Sequence, residues 1–272
     1  MQNNQNIKLL IERELCILIK NAENNSSILK EITFLSGVYD LLKNNKIKTK
    51  RGFYYSNVNV FKSQNSVNTL IKKYTKKFNC KIEDLNLEAG IKGIYKGKVY
   101  FTEEDEHVNK TNKITVQLIP RINKCKVCCE VRSVVIVEKE SVFNRLHNEE
   151  ILFICGKGFP DKNTLKFIEL LPKEMQIYCL VDFDPHGLHI YKIYNKTVNC
   201  KRIITQRLFF KYKISKDQCI QLSDLDVKML KKMILNEETK DDACFLLGFG
   251  YKIEIEAFLN SAKFVSSDFL ID

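Results

Sequence analysis

Three dense apolar runs in the second half of the chain restrict its fold more than any other feature: SVVIVE at 133–138, ILFIC at 151–155 and QIYCLVDFD at 176–184. A strand that is apolar at every position, rather than every second one, is covered on both faces, which is the situation of a parallel sheet. Between the second and third runs, DKNTLKFIELL at 161–171 has the spacing of a short amphipathic helix stopped by Pro172. SDLDVKMLKKMIL at 223–235 opens with S-x-x-D and reads as a capped helix. The rhythm of strand, helix, strand from about residue 115 predicts an α/β domain with a mainly parallel sheet. Ligands are expected at the carboxyl ends of its strands.

The first half has a different pattern. Residues 7–20 fit a helix of mixed apolar and charged character. Over 28–44, Leu29, Ile32, Leu35, Val38, Leu41 and Leu42 recur at helical spacing, with Ser26 and Ser27 as candidate caps. Over 66–78, Val67, Leu70, Ile71, Tyr74 and Phe78 do the same, and Lys72, Lys73, Lys76 and Lys77 occupy the other face. LNLEAGIKGIYKGKVYF at 85–101 carries glycines at 90, 93 and 97 between β-prone runs and reads as a small hairpin. Helices followed by a hairpin suit a winged helix-turn-helix module, so residues 1–105 are expected to form that domain. The polar stretch 102–113 marks the boundary, with a linker over 106–114 and the α/β domain, with a C-terminal helical extension, over 115–272.

The net charge of +11, from 44 Lys+Arg against 33 Asp+Glu, suggests a polyanionic partner, and nucleic acid is the usual one. Ten cysteines in a chain of 272 residues without a signal peptide read as reduced thiols, which places the protein in the cytosol or nucleus. The apolar run LCILI at 15–19 is too short to span a bilayer, and no membrane role is expected. The C-x-x-C-C of Cys125, Cys128 and Cys129 lacks a second ligand pair and runs into a predicted strand, so it reads as packing rather than zinc.

Alternate side chains of a strand share a face, so Asp182 and Asp184 point together while Phe183 turns away. Glu138 ends another of the apolar runs. In a parallel sheet all three carboxylates would meet at one edge, where their mutual repulsion is relieved by a hard divalent cation. All-oxygen ligation favours Mg²⁺ or Mn²⁺. For an isolated D-x-D the plainer reading is a helix cap at Asp184 and ion pairing of Glu138 with Lys139 or Lys157. The strand-terminal glutamate in the same α/β unit tips the balance to a cation.

These residues resemble a known family. VVIVEKESVF, ILFICGKGFPD and LVDFDPHG look like the three blocks of a Toprim domain. More narrowly, they are similar to the domain that the A-type subunit of topoisomerase VI shares with its eukaryotic meiotic recombination relatives, the "Spo eleven" family. The resemblance implies that Glu138, Asp182 and Asp184 hold the catalytic metal. It also implies a DNA-cutting tyrosine in the N-terminal domain, within RGFYYSNVNVFKSQ at 51–64. Arg51, Tyr54, Tyr55, Phe61 and Gln64 fit the family pattern, and the second tyrosine, Tyr55, matches the nucleophile, with Tyr54 as runner-up. LNLEAGIKGIYKG and GYKIEIEAFL resemble the family's wing and terminal-helix blocks. Gly52 stands where the family usually has Asp, and Leu165 where an Arg commonly follows PD-x-x-T.

The implied reaction is a transesterification that leaves a 5′-phosphotyrosyl link, the double-strand break that begins meiotic recombination. A free tyrosine titrates near pH 10, about three units above neutrality, so the nucleophile needs a proton acceptor and positive surroundings. Arg51 is the candidate for phosphate charge. Lys48, Lys50, Lys72, Lys73, Lys157 and His186 are candidates for DNA contact, although each also fits a solvated or locally paired position. One tyrosine cuts one strand, so a homodimer on double-stranded DNA is implied, in a nuclear setting. In the family the tyrosine of one protomer works with the metal of the other. An ATPase or transducer-like partner, and other recombination proteins, would be separate chains. Two alternatives stay open: a topoisomerase VI-type enzyme that reseals DNA with an ATPase partner, and a DNA-binding recombination scaffold that does not cleave.

Overall fold

The computed structural model describes residues 2–21, 25–103, 106–110, 115–122 and 125–260. The chain divides into two compact units, Met1–Gly90 and Ile91–Asp272. The division falls ahead of the polar stretch expected as a boundary. Residues Glu106–Lys110 of the expected linker form a strand that pairs antiparallel with Val99–Glu103, and 111–114 lie outside the described residues.

The first unit consists of helices Gln2–Lys20, Ser26–Lys43, Lys50–Tyr55 and Gln64–Lys77. A two-residue parallel pair joins Lys48–Thr49 to Leu87–Glu88. The expected periodic residues Leu35, Val38, Leu41, Leu42, Val67, Leu70, Ile71 and Tyr74 are buried, whereas Leu29 faces solvent. Asn25 caps the second helix by accepting from the Ser27 N–H at 2.9 Å, one position ahead of the serines expected in that role. The short Lys50–Tyr55 helix would be marginal alone. It is anchored by Phe53, whose ring lies edge-on to Phe34 at 5.5 Å and close to Phe61. Gly37 makes room for that ring: a Cβ there would stand 2.7 Å from it.

The hairpin expected over 85–101 does not form among the described residues. Leu87–Glu88 belongs to the first unit, and Ile94–Lys96 and Val99–Glu103 enter different sheets of the second. The cause is Gly97, with φ 141° and the backbone of Ile151 and Leu152 where a Cβ would sit. Such a residue bends the chain from one sheet to the next instead of turning it back. The first unit is therefore a helical bundle with one short strand pair, and the two strands expected as its wing lie in the second unit.

In the second unit a six-stranded sheet runs in the order Lys201–Arg202, Gln176–Leu180, Ser133–Val137, Ile151–Cys155, Ile94–Lys96, Gln117–Leu118. The first four strands are parallel, and Ile94–Lys96 runs antiparallel to both its neighbours, Ile151–Cys155 and Gln117–Leu118. All five residues of both Ser133–Val137 and Ile151–Cys155 are buried, as continuous apolar runs require. Their side chains alternate between two cores: Val135, Val137, Phe153 and Leu180 on one face, Val134, Ile136, Ile154 and Cys179 on the other. Asp161 caps Lys162–Glu169, and Ser223 caps Asp224–Met233 in a reciprocal capping box with Asp226, in keeping with the helices expected from the sequence. Residues Cys125–Cys129 form a strand against Val99–Glu103. No helix among the described residues is long and apolar enough to cross a membrane.

Candidate active site

The register of the parallel strands builds the acidic edge. Val137 lies opposite both Leu180 and Cys155, so the next residues of all three strands emerge together. The ladder continues one step, with the Glu138 N–H donating to the Leu180 carbonyl at 3.0 Å. The Glu138 Oε2 then accepts from the Asp182 N–H at 2.9 Å. Phe183 turns into the core, fully buried, and the pleat presents Asp182 and Asp184 on its other side. Asp184 caps helix Pro185–Thr197, accepting from the Gly187 N–H at 2.6 Å. The helix cap and the acidic edge thus coexist in one residue.

The edge is electrostatically loaded. Glu138 and Asp182 are both buried. Burial, aided by the charges of Asp182 and Asp184, raises the Glu138 carboxyl to about 7 despite the hydrogen bond from the Asp182 N–H. Burial, aided by Asp184, raises Asp182 to about 6, against the opposing effects of the Ile255 N–H and Lys139. Three carboxylates close enough to perturb one another and drawn from two strands are a hard, all-oxygen donor set. In kind they suit a magnesium-like ion. In their present arrangement, no group of three or more His, Cys, Asp or Glu among the described residues stands ready to hold one. Their oxygens are engaged instead: Asp182 Oδ1 by the Ile255 N–H at 2.9 Å and Oδ2 by the Lys139 ammonium at 3.1 Å.

Lys139 is the group that sequence reasoning misplaces. As the neighbour of Glu138 it is a candidate partner for that carboxylate, yet it pairs with Asp182, Glu254 (3.4 Å) and Glu256 (2.9 Å). Burial acts against its charge, but the hydrogen bond to Glu256 and the charge of Asp182 outweigh it and raise its proton affinity. Glu254 and Glu256 flank buried Ile255 as the two aspartates flank Phe183, and that E-x-E alternation is the available signal. Lys157 adopts φ 52° after the Ile151–Cys155 strand and pairs with Glu140 at 2.9 Å. The next residue, Gly158, donates its N–H to the Glu138 carbonyl at 2.9 Å. His186 is exposed on the first turn of the Asp184-capped helix, and Leu165 packs against the second core.

In the first unit the tyrosine pair separates by environment. Tyr54 packs against the core, whereas Tyr55 is 58% exposed. Tyr55 ends the Lys50–Tyr55 helix one turn from Arg51, whose Nη2 donates to the Tyr55 hydroxyl at 3.2 Å. Thr49 caps this helix through the Gly52 N–H at 2.9 Å, so Gly52 sits at the cap and not against the tyrosine. Lys48 is exposed and donates to Ser56 at 2.9 Å. Lys50 is half-buried and Lys72 exposed. Lys73 is committed to Glu31 at 2.5 Å, which makes it partly a structural residue.

Two family profiles match these two regions. The TOP6A–Spo11 Toprim domain covers residues 133–209, the span of Glu138, Asp182 and Asp184. "Type IIB DNA topoisomerase" covers 27–87, the span of Arg51, Tyr54 and Tyr55. Fold and matches together define a type IIB topoisomerase-like chain with a Toprim domain, a domain that generally binds divalent metal ions. The chain belongs to the TOP6A–Spo11 family. It is 29% identical over 232 residues to the probable meiosis-specific protein SPO11 homolog of Encephalitozoon cuniculi, with 77% of each chain covered. It is 30% identical over 189 residues to meiotic recombination protein rec12 of Schizosaccharomyces pombe, covering 67% of this chain and 54% of that one. It is 32% identical over 187 residues to human meiotic recombination protein SPO11, covering 64% and 46%. The chain thus spans about half the length of the last two relatives.

Proposed function

We propose that the protein makes DNA double-strand breaks that begin meiotic recombination, by transesterification between Tyr55 and the DNA backbone. The observation that carries this reading is the pairing of an exposed Tyr55 hydroxyl with Arg51 at 3.2 Å, in a chain whose other unit gathers Glu138, Asp182 and Asp184 at one sheet edge. The Tyr55 oxygen gives up its proton to solvent and forms a bond to backbone phosphorus as the 3′ oxygen leaves and takes a proton from water, so the break ends in a 5′-phosphotyrosyl link and a free 3′ hydroxyl. Arg51 places two N–H groups at the attacking oxygen and is set to hold a phosphate oxygen that arrives there. Tyr54 is the weaker candidate because its ring belongs to the core packing.

Glu138, Asp182 and Asp184 would hold a divalent ion, Mg²⁺ or Mn²⁺, which when bound supplies positive charge to the leaving oxygen. Lys48, Lys50 and Lys72, with Lys157 in the second unit, supply charge along the DNA backbone, and His186 offers a hydrogen-bonding contact to it. Since one tyrosine cuts one strand, the working unit is a homodimer, each tyrosine serving the acidic edge of its partner. An ATPase-like component would be a separate chain. The names of its relatives, meiotic recombination proteins in fission yeast and human, favour the meiotic role over a resealing topoisomerase.

The test is a denaturing assay for protein attached covalently to DNA 5′ ends, run with Mg²⁺ and with candidate recombination partners. The parent and Tyr54→Phe should form the adduct, and Tyr55→Phe should not. An adduct that persists in Tyr55→Phe and vanishes in Tyr54→Phe would move the nucleophile by one residue. No adduct from any form would point to a non-cleaving scaffold.

A further inference from the structure

We propose that Lys139 is a built-in cation that competes with the divalent ion for Asp182, and that Glu254 and Glu256 receive its ammonium when the ion binds. This rests on the reading of Glu138, Asp182 and Asp184 as the metal ligands. The Lys139 Nζ lies 3.1 Å from Asp182 Oδ2, 3.4 Å from Glu254 Oε2 and 2.9 Å from Glu256 Oε2, so one charge is shared by three carboxylates. Two of the three are not proposed ligands. An incoming ion that takes Asp182 therefore leaves Lys139 with partners already in place, at little cost in unpaired charge.

The segment that carries the receiving carboxylates is fixed independently of Lys139. Phe183 and Ile253 exchange backbone hydrogen bonds at 2.8 and 3.1 Å, so the segment carrying the two glutamates is laced to the D-x-D turn. The Ile255 N–H holds Asp182 Oδ1 at 2.9 Å. Ser141 reaches Glu256 Oε1 at 3.4 Å. The lacing segment, Tyr251–Leu259, lies outside both matched family profiles, which end at residues 87 and 209. Lys139 and Glu256 are thus positioning residues that act on the ion through Asp182.

The arrangement predicts opposite signs for neighbouring substitutions. Removing the competitor in Lys139→Met should tighten Mn²⁺ binding by roughly fivefold, a typical coupling for charges in direct contact. Removing a receiver in Glu256→Gln should drive Lys139 back onto Asp182 and weaken Mn²⁺ by roughly two- to fivefold. A bare field effect of Glu256 on the ion would persist without Lys139, whereas transfer through Lys139 would not.

The experiment is a double-mutant cycle on the full chain, read by electron paramagnetic resonance of free Mn²⁺ during titration, with no DNA present. The expected result is tighter binding in Lys139→Met, weaker binding in Glu256→Gln, and no effect of Glu256→Gln in the Lys139→Met background. Unchanged or weaker binding in Lys139→Met, or an equal Glu256→Gln effect in both backgrounds, would overturn the proposal. Circular dichroism verifies folding, and Lys139→Gln, which keeps a hydrogen-bond donor for Asp182, replaces Lys139→Met if the latter does not fold. A parent that binds Mn²⁺ no better than Asp182→Asn would instead remove the metal centre itself, and the proposal with it.

Discussion

The tyrosine helix and the acidic edge represent two ways of preparing a reactive group. Tyr55 sits on a six-residue helix, exposed, with Arg51 against its hydroxyl from a single turn away. Glu138 and Asp182 sit at the end of a buried sheet, and their hydrogen bonds come from residues 44 and 73 positions distant. Local order suffices for the first, because the nucleophile we propose must be reached by its substrate. Long-range order is needed for the second, because like charges are brought together only where a surrounding fold holds them. The two regions should therefore break in different ways.

The largest effects should come from the groups proposed to take part in the reaction. Tyr55→Phe removes one oxygen and should lower covalent attachment by at least about a thousandfold without changing the melting temperature. Asp182→Asn should lower attachment to a similar degree, but it should also raise metal-free stability at pH 8, because it removes a buried charge. A Tyr55→Phe chain that melts differently from the parent would contradict the claim that this residue is only locally held.

Next come changes to what supports the tyrosine helix. Gly37→Val forces a Cβ to within 2.7 Å of the Phe53 ring. It should cost about 2 kcal/mol by overpacking, read by denaturant unfolding, and reduce attachment through loss of the helix anchor. Thr49→Ala removes the cap on the Gly52 N–H and should cost about 1 kcal/mol in the same assay.

The last effect leaves the reacting atoms and the tyrosine helix untouched: a pH dependence confined to the acidic edge. Glu138 and Asp182 have folded-state values of about 7 and about 6, above the ordinary values of 4.5 and 3.8. The folded state therefore holds its protons more tightly than the unfolded state. Stability from these two groups is complete below pH 4 and is lost as pH rises through about 7. The metal-free chain should thus melt several degrees lower at pH 8 than at pH 5. Glu138→Gln/Asp182→Asn should flatten that slope, whereas Tyr55→Phe should leave it intact.

The same contrast explains what can be read from the chain. Continuous apolar runs make the parallel strands legible, because burial on both faces leaves no polar position in Ser133–Val137 beyond its first residue. The pleat makes the side of Asp182 and Asp184 legible, and S-x-x-D announces the Ser223 cap. Glycine spacing misleads at 85–101, since a glycine allows a tight turn and a step between sheets equally, and only the Ile151–Leu152 backbone beside Gly97 decides. Local reasoning pairs Lys139 with its sequence neighbour, because adjacent charges are the nearest ones visible. The nearest of its actual partners, Glu256, is 117 residues away, and the E-x-E alternation marks that segment without saying what it faces.

Complementation between two inactive forms tests most directly whether the two regions work together. Tyr55→Phe keeps the acidic edge, and Asp182→Asn keeps the proposed nucleophile. Mixed and allowed to exchange protomers, in Mg²⁺ and under conditions where the parent attaches to DNA, they should form a covalent 5′ link on one strand, while each alone forms none. A mixture as inert as its components would contradict the claim that the tyrosine of one copy works at the carboxylates of another.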